Sequence, residues 1–231
     1  MKVDIGIIGA MEPEVEALIS ALEERKSETV SDITFYTGCL YGKSVAIAKC
    51  GIGKVFAALC AQTMIMKYSP SLIVNTGVGG ALAPGLTTGD IVIADTLCQH
   101  DMDTSAIGDP RGLVSGINVI YFESDKRASE ILLSAAETLG LCATLGRIAT
   151  GDNFIASKED KDRIVTDFFA DACEMEGCAV AQVAYVNNTP FAVVRAISDS
   201  ADGEATMDYP TFLPLAARNS TNLTLYLVKE W

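Results

Sequence analysis

Residues 3–26, VDIGIIGAMEPEVEALISALEERK, decide the fold class. The run from Val3 to Gly9 is apolar but for Asp4 and its glycines, the pattern of a strand covered on both faces. At Met11 the period changes. Val15, Leu18, Ile19 and Leu22 recur at helical spacing, Pro13 suits a first helical turn, and Glu12, Glu14 and Glu16 crowd the positive end of the helix dipole. Strand, tight turn and helix thus follow one another directly, with the helix expected to reach Lys26. A buried strand feeding a helix predicts a layered α/β fold.

The rest of the chain repeats this alternation. Residues 33–40 and 43–50 flank Tyr41-Gly42 as a hairpin, and Gly51-Ile52-Gly53 breaks the second strand before a helix over about 55–67. A strand at 72–75 runs into TGVGGALAPGLTTGD (76–90), whose glycines and proline are expected to forbid regular structure and to let backbone amides approach a ligand. A strand at 91–94 precedes the longest irregular segment, 96–120; a loop of that length in a compact domain is usually functional or interfacial. Helices are then expected at 124–139, 158–168, from Glu176, and at 209–229, with strands at 145–150, 172–175 and 191–198. No linker divides the chain, so residues 1–231 read as a single-domain, three-layer α/β fold with a mixed, largely buried central sheet flanked by helices.

Composition narrows the partners. With 49% hydrophobic and 20% charged residues the chain is neither disordered nor fibrous. Thirty acidic against 17 basic residues give a net charge of −13, which argues against nucleic acid and anionic membrane surfaces and for a small neutral or cationic ligand. No stretch approaches about 18 uninterrupted apolar residues, and the N-terminus lacks the basic region and cleavage site of a secretory signal. The seven cysteines form an odd set without C-x-x-C, which points to a reducing, cytoplasmic setting.

Several chemistries drop out. Gly51-Ile52-Gly53-Lys54-Val55-Phe56 lacks the third glycine of a dinucleotide fingerprint, and Gly38 stands too near Gly42-Lys43-Ser44 for a triphosphate loop. One histidine, His100, cannot build a metal centre without paired cysteines, and in QHDMD it reads as a loop residue held by neighbouring acids. No metal or cofactor is expected. What remains is carboxylate chemistry. Ligands of open α/β sheets bind beyond the carboxyl ends of strands, and acids occupy three such ends: Glu12, the pair Glu174 and Glu176, and Asp199. Each has a plain alternative: Glu12 as a dipole partner, the pair as surface-solvated acids, Asp199 as a structural acid at the end of its strand. Arg195, a charge inside an apolar strand, needs a partner.

In order and spacing, GIIGAMEPEV, CGIGKVFAAL, NTGVGGALAPGLTTGDIVIAD, QHDMD, TGDNFI, EMEGCAVAQVA and VVRAISDSAD resemble the nucleoside phosphorylase and nucleosidase family, most nearly its 5'-methylthioadenosine/S-adenosylhomocysteine nucleosidases, over roughly residues 1–225. The resemblance implies hydrolysis of the bond between adenine N9 and ribose C1'. It implies Asp199 as general acid at adenine, Glu12 as the residue activating water, and Arg195 as the cation near Glu12 and that water. Glu176 is matched to the glutamate gripping the ribose hydroxyls, Met175 to the side chain along the ribose, Phe154 to the aromatic stacked on adenine, and the Ile155 backbone to the reader of the base edge. Glu174 is expected in support, with a side chain that alternation can turn away from the pocket, and Ser198 near the adenine. Val78 stands where several relatives carry a serine, leaving the backbone amides of Val78 and Gly79 to take its place. The long loop, with Ile107 in an aromatic's position, is expected to reach a neighbouring subunit's pocket in a homodimer. A purine nucleoside phosphorylase, an aminofutalosine nucleosidase and a non-catalytic nucleoside-binding protein stay open as alternatives.

Overall fold

The structure, a computed structural model, describes residues 2–231 apart from the Met207 side chain. The opening unit forms as β1 (Ile5–Gly9) and α1 (Glu12–Ser20), but the helix stops short of Lys26. Past Leu22 the sequence offers no apolar stripe to bury. Residues 23–30 instead form an edge strand, β2 (Glu23–Val30), antiparallel to β3 (Ile33–Leu40). Its exposed Glu and Lys side chains guard the sheet edge against further pairing. β3 and β4 (Lys43–Lys49) make the expected hairpin, with Tyr41 and Gly42 both at positive φ, as a two-residue turn of that twist requires.

After α2 (Lys54–Tyr68), β5 runs from Leu72 to Ala81, straight through the glycine-rich segment expected to be irregular. The reason is space, not flexibility. Gly77, Gly79 and Gly80 sit in the strand where a Cβ would come within 2.7 Å of Glu14 Oε1, 2.8 Å of the Cys173 carbonyl and 2.9 Å of Ala201 and Asp199. Next come β6 (Ile91–Gln99), a 3-10 turn (Ser105–Ile107), β7 (Phe122–Glu123), α3 (Lys126–Leu139), β8 (Ala143–Thr150) and α4 (Lys158–Phe168). The chain closes with β9 (Ala172–Glu174), α5 (Gly177–Val186), β10 (Phe191–Asp199) and α6 (Ala205–Glu230). β6 extends five residues beyond the expected Ala94, so the irregular stretch begins at residue 100. α6 begins before the expected Tyr209 and takes Pro210 and Pro214 into its length.

Among the described residues the strands form one mixed sheet, and β5 is its hub. It pairs in parallel with β1 and β10, and through Gly80 and Ala81 it pairs antiparallel with β9. β10 pairs with β6, β6 with β8 and β8 with β9, so this part of the sheet closes on itself. β1, β4, β3 and β2 extend outward from the hub. Helices cover both faces: Ile5 and Ile7 of β1 join a core with α1, α3 and α6, while Ile8 joins one with α2 and α5. The fold is the expected three-layer α/β arrangement. No helix among the described residues is long and apolar enough to cross a membrane.

Leu18 is fully buried between α1 and the sheet. Leu18→Ala should cost about 2–5 kcal/mol of unfolding free energy in urea denaturation, whereas exposed Lys26→Ala should stay within about 0.5.

Candidate active site

A cavity of about 360 Å³ opens at the ends of β1, β5, β8, β9 and β10, within the size range of small-molecule sites. The closing of the sheet brings these segments together, since β5 pairs with both β9 and β10, and β8 with β9. Most expected site residues meet in it. Val78 and Gly79 come from β5, Phe154 and Ile155 from the turn after β8, Glu174, Met175 and Glu176 from β9 and the start of α5, and Ser198 and Asp199 from the end of β10.

Glu12 does not reach it. Its carboxylate is more than half exposed and pairs with Lys49 Nζ at 2.6 Å on the outside of the molecule. The acid that lines the cavity is Glu14. Two residues along a helix turn a side chain by about 200°, so acids at 12 and 14 face opposite ways. Glu14 is the third residue of α1, and its Oε2 reaches back to accept the amides of Ala10 (2.7 Å) and Met11 (2.9 Å). That reach-back is half of a capping box, and the acid's place three residues after the cap was the signal that could have found it. Its Oε1 accepts the Val78 amide at 3.2 Å. The backbone of Val78 therefore makes a hydrogen bond although its side chain cannot.

Arg195 is buried beneath the cavity, not beside Glu12. Its guanidinium pairs with Glu174 and donates to Asn75 through both the side-chain and backbone oxygens. Its Nε finds no partner among the described residues. Glu174 does not turn away from the pocket: it lines it, accepts from Thr150 Oγ1, and accepts the amides of Glu176 (2.9 Å) and Gly177 (2.7 Å) at the start of α5. Glu176 Oε1 accepts the Gly53 amide at 2.7 Å. Asp199 accepts from the Ser198 hydroxyl (2.8 Å) and the Ala201 amide (3.0 Å).

The electrostatics follow from four buried acids and one buried cation sharing one space. Burial, reinforced by Glu174, pushes the Glu176 acid up to about 8. Burial also raises Glu14 against the opposing pull of Arg195 and its three amides, and raises Asp199 against Ser198 and Ala201. Burial works against the charge of Arg195, but Glu174, Glu176 and Glu14 outweigh it and hold the guanidinium ionised. The site thus offers one acid that keeps its proton up to about 8, Glu176, and a fixed cation, Arg195.

Besides Glu14, the lining residues not singled out from the sequence include Ala10, Gly80, Asn153 and Cys173 as well as three larger side chains. Met11, Ile52 and Tyr209 come from three separate segments, and Tyr209 packs edge-on against Phe154 at 5.5 Å while its hydroxyl meets Met11 Sδ. Ile107 lies outside the cavity of its own chain, 82% exposed on the 3-10 turn. His100 is not held by its acidic neighbours: it is buried, with neither ring nitrogen hydrogen-bonded among the described residues, and burial lowers its pKa. No cluster of ligating side chains among the described residues could hold a metal ion.

Fold and cavity together are those of an α/β protein with a small-molecule-sized hollow at strand ends, the place where α/β enzymes bind their ligands. Residues 4–229 match the model of the Phosphorylase superfamily, and the chain belongs to that family. It is similar to the 5'-methylthioadenosine/S-adenosylhomocysteine nucleosidase of Haemophilus influenzae (strain PittGG), with 41% identity over 97% of this chain and 98% of that one. Among solved structures it is similar to the nucleosidase of that name from Neisseria meningitidis in complex with methylthio-immucillin-A, at 37% identity over 99% of both chains and a TM-score of 0.96. A futalosine hydrolase of Helicobacter pylori is similar at 33% identity over 99% of this chain and 98% of that one, with a TM-score of 0.95. The resemblance of the motifs therefore extends over the whole fold.

Folded Glu176 holds its proton up to about 8, while the unfolded chain releases it near the ordinary 4.5. Between those values the folded form binds more protons, so this residue makes stability fall as pH rises. In urea titrations the stability of Glu176→Gln relative to the unaltered protein should therefore climb from pH 5 to 8, by up to ~1.4 kcal/mol per pH unit. A pH-independent difference would contradict the raised acid.

Proposed function

We propose that the protein hydrolyses the N-glycosidic bond of 5'-methylthioadenosine and S-adenosylhomocysteine, releasing adenine and the corresponding thioribose. The observation that carries this reading is the convergence of Glu14, Glu176 and Asp199, from three separate strand ends, on one cavity. Such a bond breaks through an oxocarbenium-like state, so the site must take charge off the departing base, tolerate a cationic sugar and deliver water to C1'. Asp199, whose pKa burial raises, is the group that donates a proton toward adenine N7. Phe154 stacks on the base and the Ile155 backbone reads its edge. Glu176 grips the ribose hydroxyls and Met175 lies along the sugar. Glu14, in the role expected of Glu12, orients the water and takes its proton as oxygen bonds to C1' and the C1'–N9 electron pair leaves with adenine. Arg195 and the amides of Ala10, Met11 and Val78 keep that carboxylate in place.

A carboxylate at the nucleophile's position repels phosphate, which favours hydrolysis over phosphorolysis. The working unit on this reading is residues 1–231 as one domain, since the sheet joins strands from both halves of the chain. It works as a homodimer: α2 leaves Val55, Phe56, Leu59 and Met66 exposed, an apolar face that suits a second copy. Ile107 then belongs to the partner's pocket. Sedimentation should give twice the chain mass, and Val55→Glu with Leu59→Glu should give single chains; a monomeric unaltered protein would refute the dimer.

Adenine release from methylthioadenosine should proceed equally with and without phosphate, and ribose-1-phosphate among the products would overturn hydrolysis. Glu14→Gln and Asp199→Asn should each lower turnover by at least ~100-fold, whereas Glu12→Gln should change it less than about twofold. Faster turnover of aminofutalosine than of either thioether nucleoside would move the substrate assignment to the hydrolase also seen among the structural relatives.

A further inference from the structure

Beside the cavity, but outside its lining, a ring of hydrogen bonds joins three segments distant in sequence. Lys54 Nζ pairs with Asp101 Oδ1 at 2.6 Å, and Asp101 Oδ2 accepts the Asp152 amide at 2.9 Å. Asp152 Oδ1 accepts the Lys54 amide at 2.8 Å and so closes the ring. A further donor bond from Lys54 Nζ reaches Gln99 Oε1, which sits on the end of β6. Both charged side chains are about four-fifths buried, at 19% and 21% exposure, so this pair is shielded as surface pairs are not. Burial raises the Asp101 acid, but the Lys54 ammonium and the Asp152 amide outweigh it and keep the carboxylate ionised.

What the ring connects gives it meaning. Immediately before Lys54, the Gly53 amide holds Glu176, on the sugar side of the cavity. Immediately after Asp152 come Asn153, Phe154 and Ile155, on the base side. Gly53 has φ +98°, and a Cβ there would stand 3.0 Å from Asp152 Oδ1, so the two segments approach as nearly as a glycine allows. β8 and β9 also join these walls, with Thr150 paired to Glu174 and the Gly151 amide donated to the Glu174 carbonyl at 3.1 Å, and the ring adds the Gly53 segment to that joint. Resting on the nucleosidase reading, we propose that Asp101 and Asp152 are positioning residues that lock the base wall to the sugar wall, so that the site reads both ends of one nucleoside at a set separation.

A lock between walls has a consequence that mere support of the Phe154 turn lacks. Free adenine needs only the base wall, whereas the nucleoside needs both in register. The test therefore compares KM for methylthioadenosine with the inhibition constant of adenine in Asp152→Ala and Asp101→Asn, with thermal unfolding to establish that each is folded. We expect KM to rise about tenfold or more, with kcat and the adenine constant each changing less than about threefold. Asp152→Asn, which keeps an oxygen for the Lys54 amide, should recover most of the loss. Should Asp152→Ala not fold, Asp101→Asn carries the test alone. Equal weakening of adenine and nucleoside, or no change in either, would overturn the proposal. An unaltered protein that releases no adenine at all would instead count against the nucleosidase reading.

Discussion

The buried pair of Arg195 and Glu174 is the interaction on which the site depends. A guanidinium with essentially no solvent contact is tolerated only because Glu174 meets it directly and Asn75 satisfies more of its donors. Removing either member of such a pair strands a charge, a loss of roughly 3–5 kcal/mol. The same pair organises its surroundings. Glu174 holds the first amides of α5, which places Glu176, and Arg195 pulls against the burial that raises Glu14. One cation among several acids leaves negative charge in excess, and the proton that Glu176 holds up to about 8 is the physical response.

The glycines of β5 make this arrangement possible. Three neighbours press on one strand: Glu14 over Gly77, the β9 backbone over Gly79, and Asp199 with Ala201 over Gly80. Without side chains there, the sheet can fold back through β9 and β10 and bring acids from separate strand ends together. Architecture and chemistry thus share a cause, since the backbone that closes the ring also floors the pocket.

Much of the fold was legible in the residues, because burial on one face or two writes its period into the chain. β1, the hairpin of β3 and β4, α2 and α4 all fall close to their expected places. The misreadings have distinct causes. β2 is made of residues that favour helix, and only pairing with β3 made it a strand. The segment from Thr76 to Ala81 looked like loop because glycine marks both turns and crowded backbone, and composition cannot separate the two.

By itself, the sequence determined the layered class, the family resemblance through its ordered motifs, and the acids and aromatic that face the pocket at Asp199, Glu176 and Phe154. The class and the two acids are local facts, set by periodicity and by residue type at strand ends, whereas Phe154 came through the family resemblance of its motif. Tertiary structure alone decided that Glu14 and not Glu12 enters the cavity, that Arg195 answers to Glu174, and that Tyr209 and Ile52 complete the walls. Those outcomes depend on how one helix seats on the sheet and on contacts between segments far apart in the chain, and of these only the capping position of Glu14 leaves a mark in a short stretch of residues.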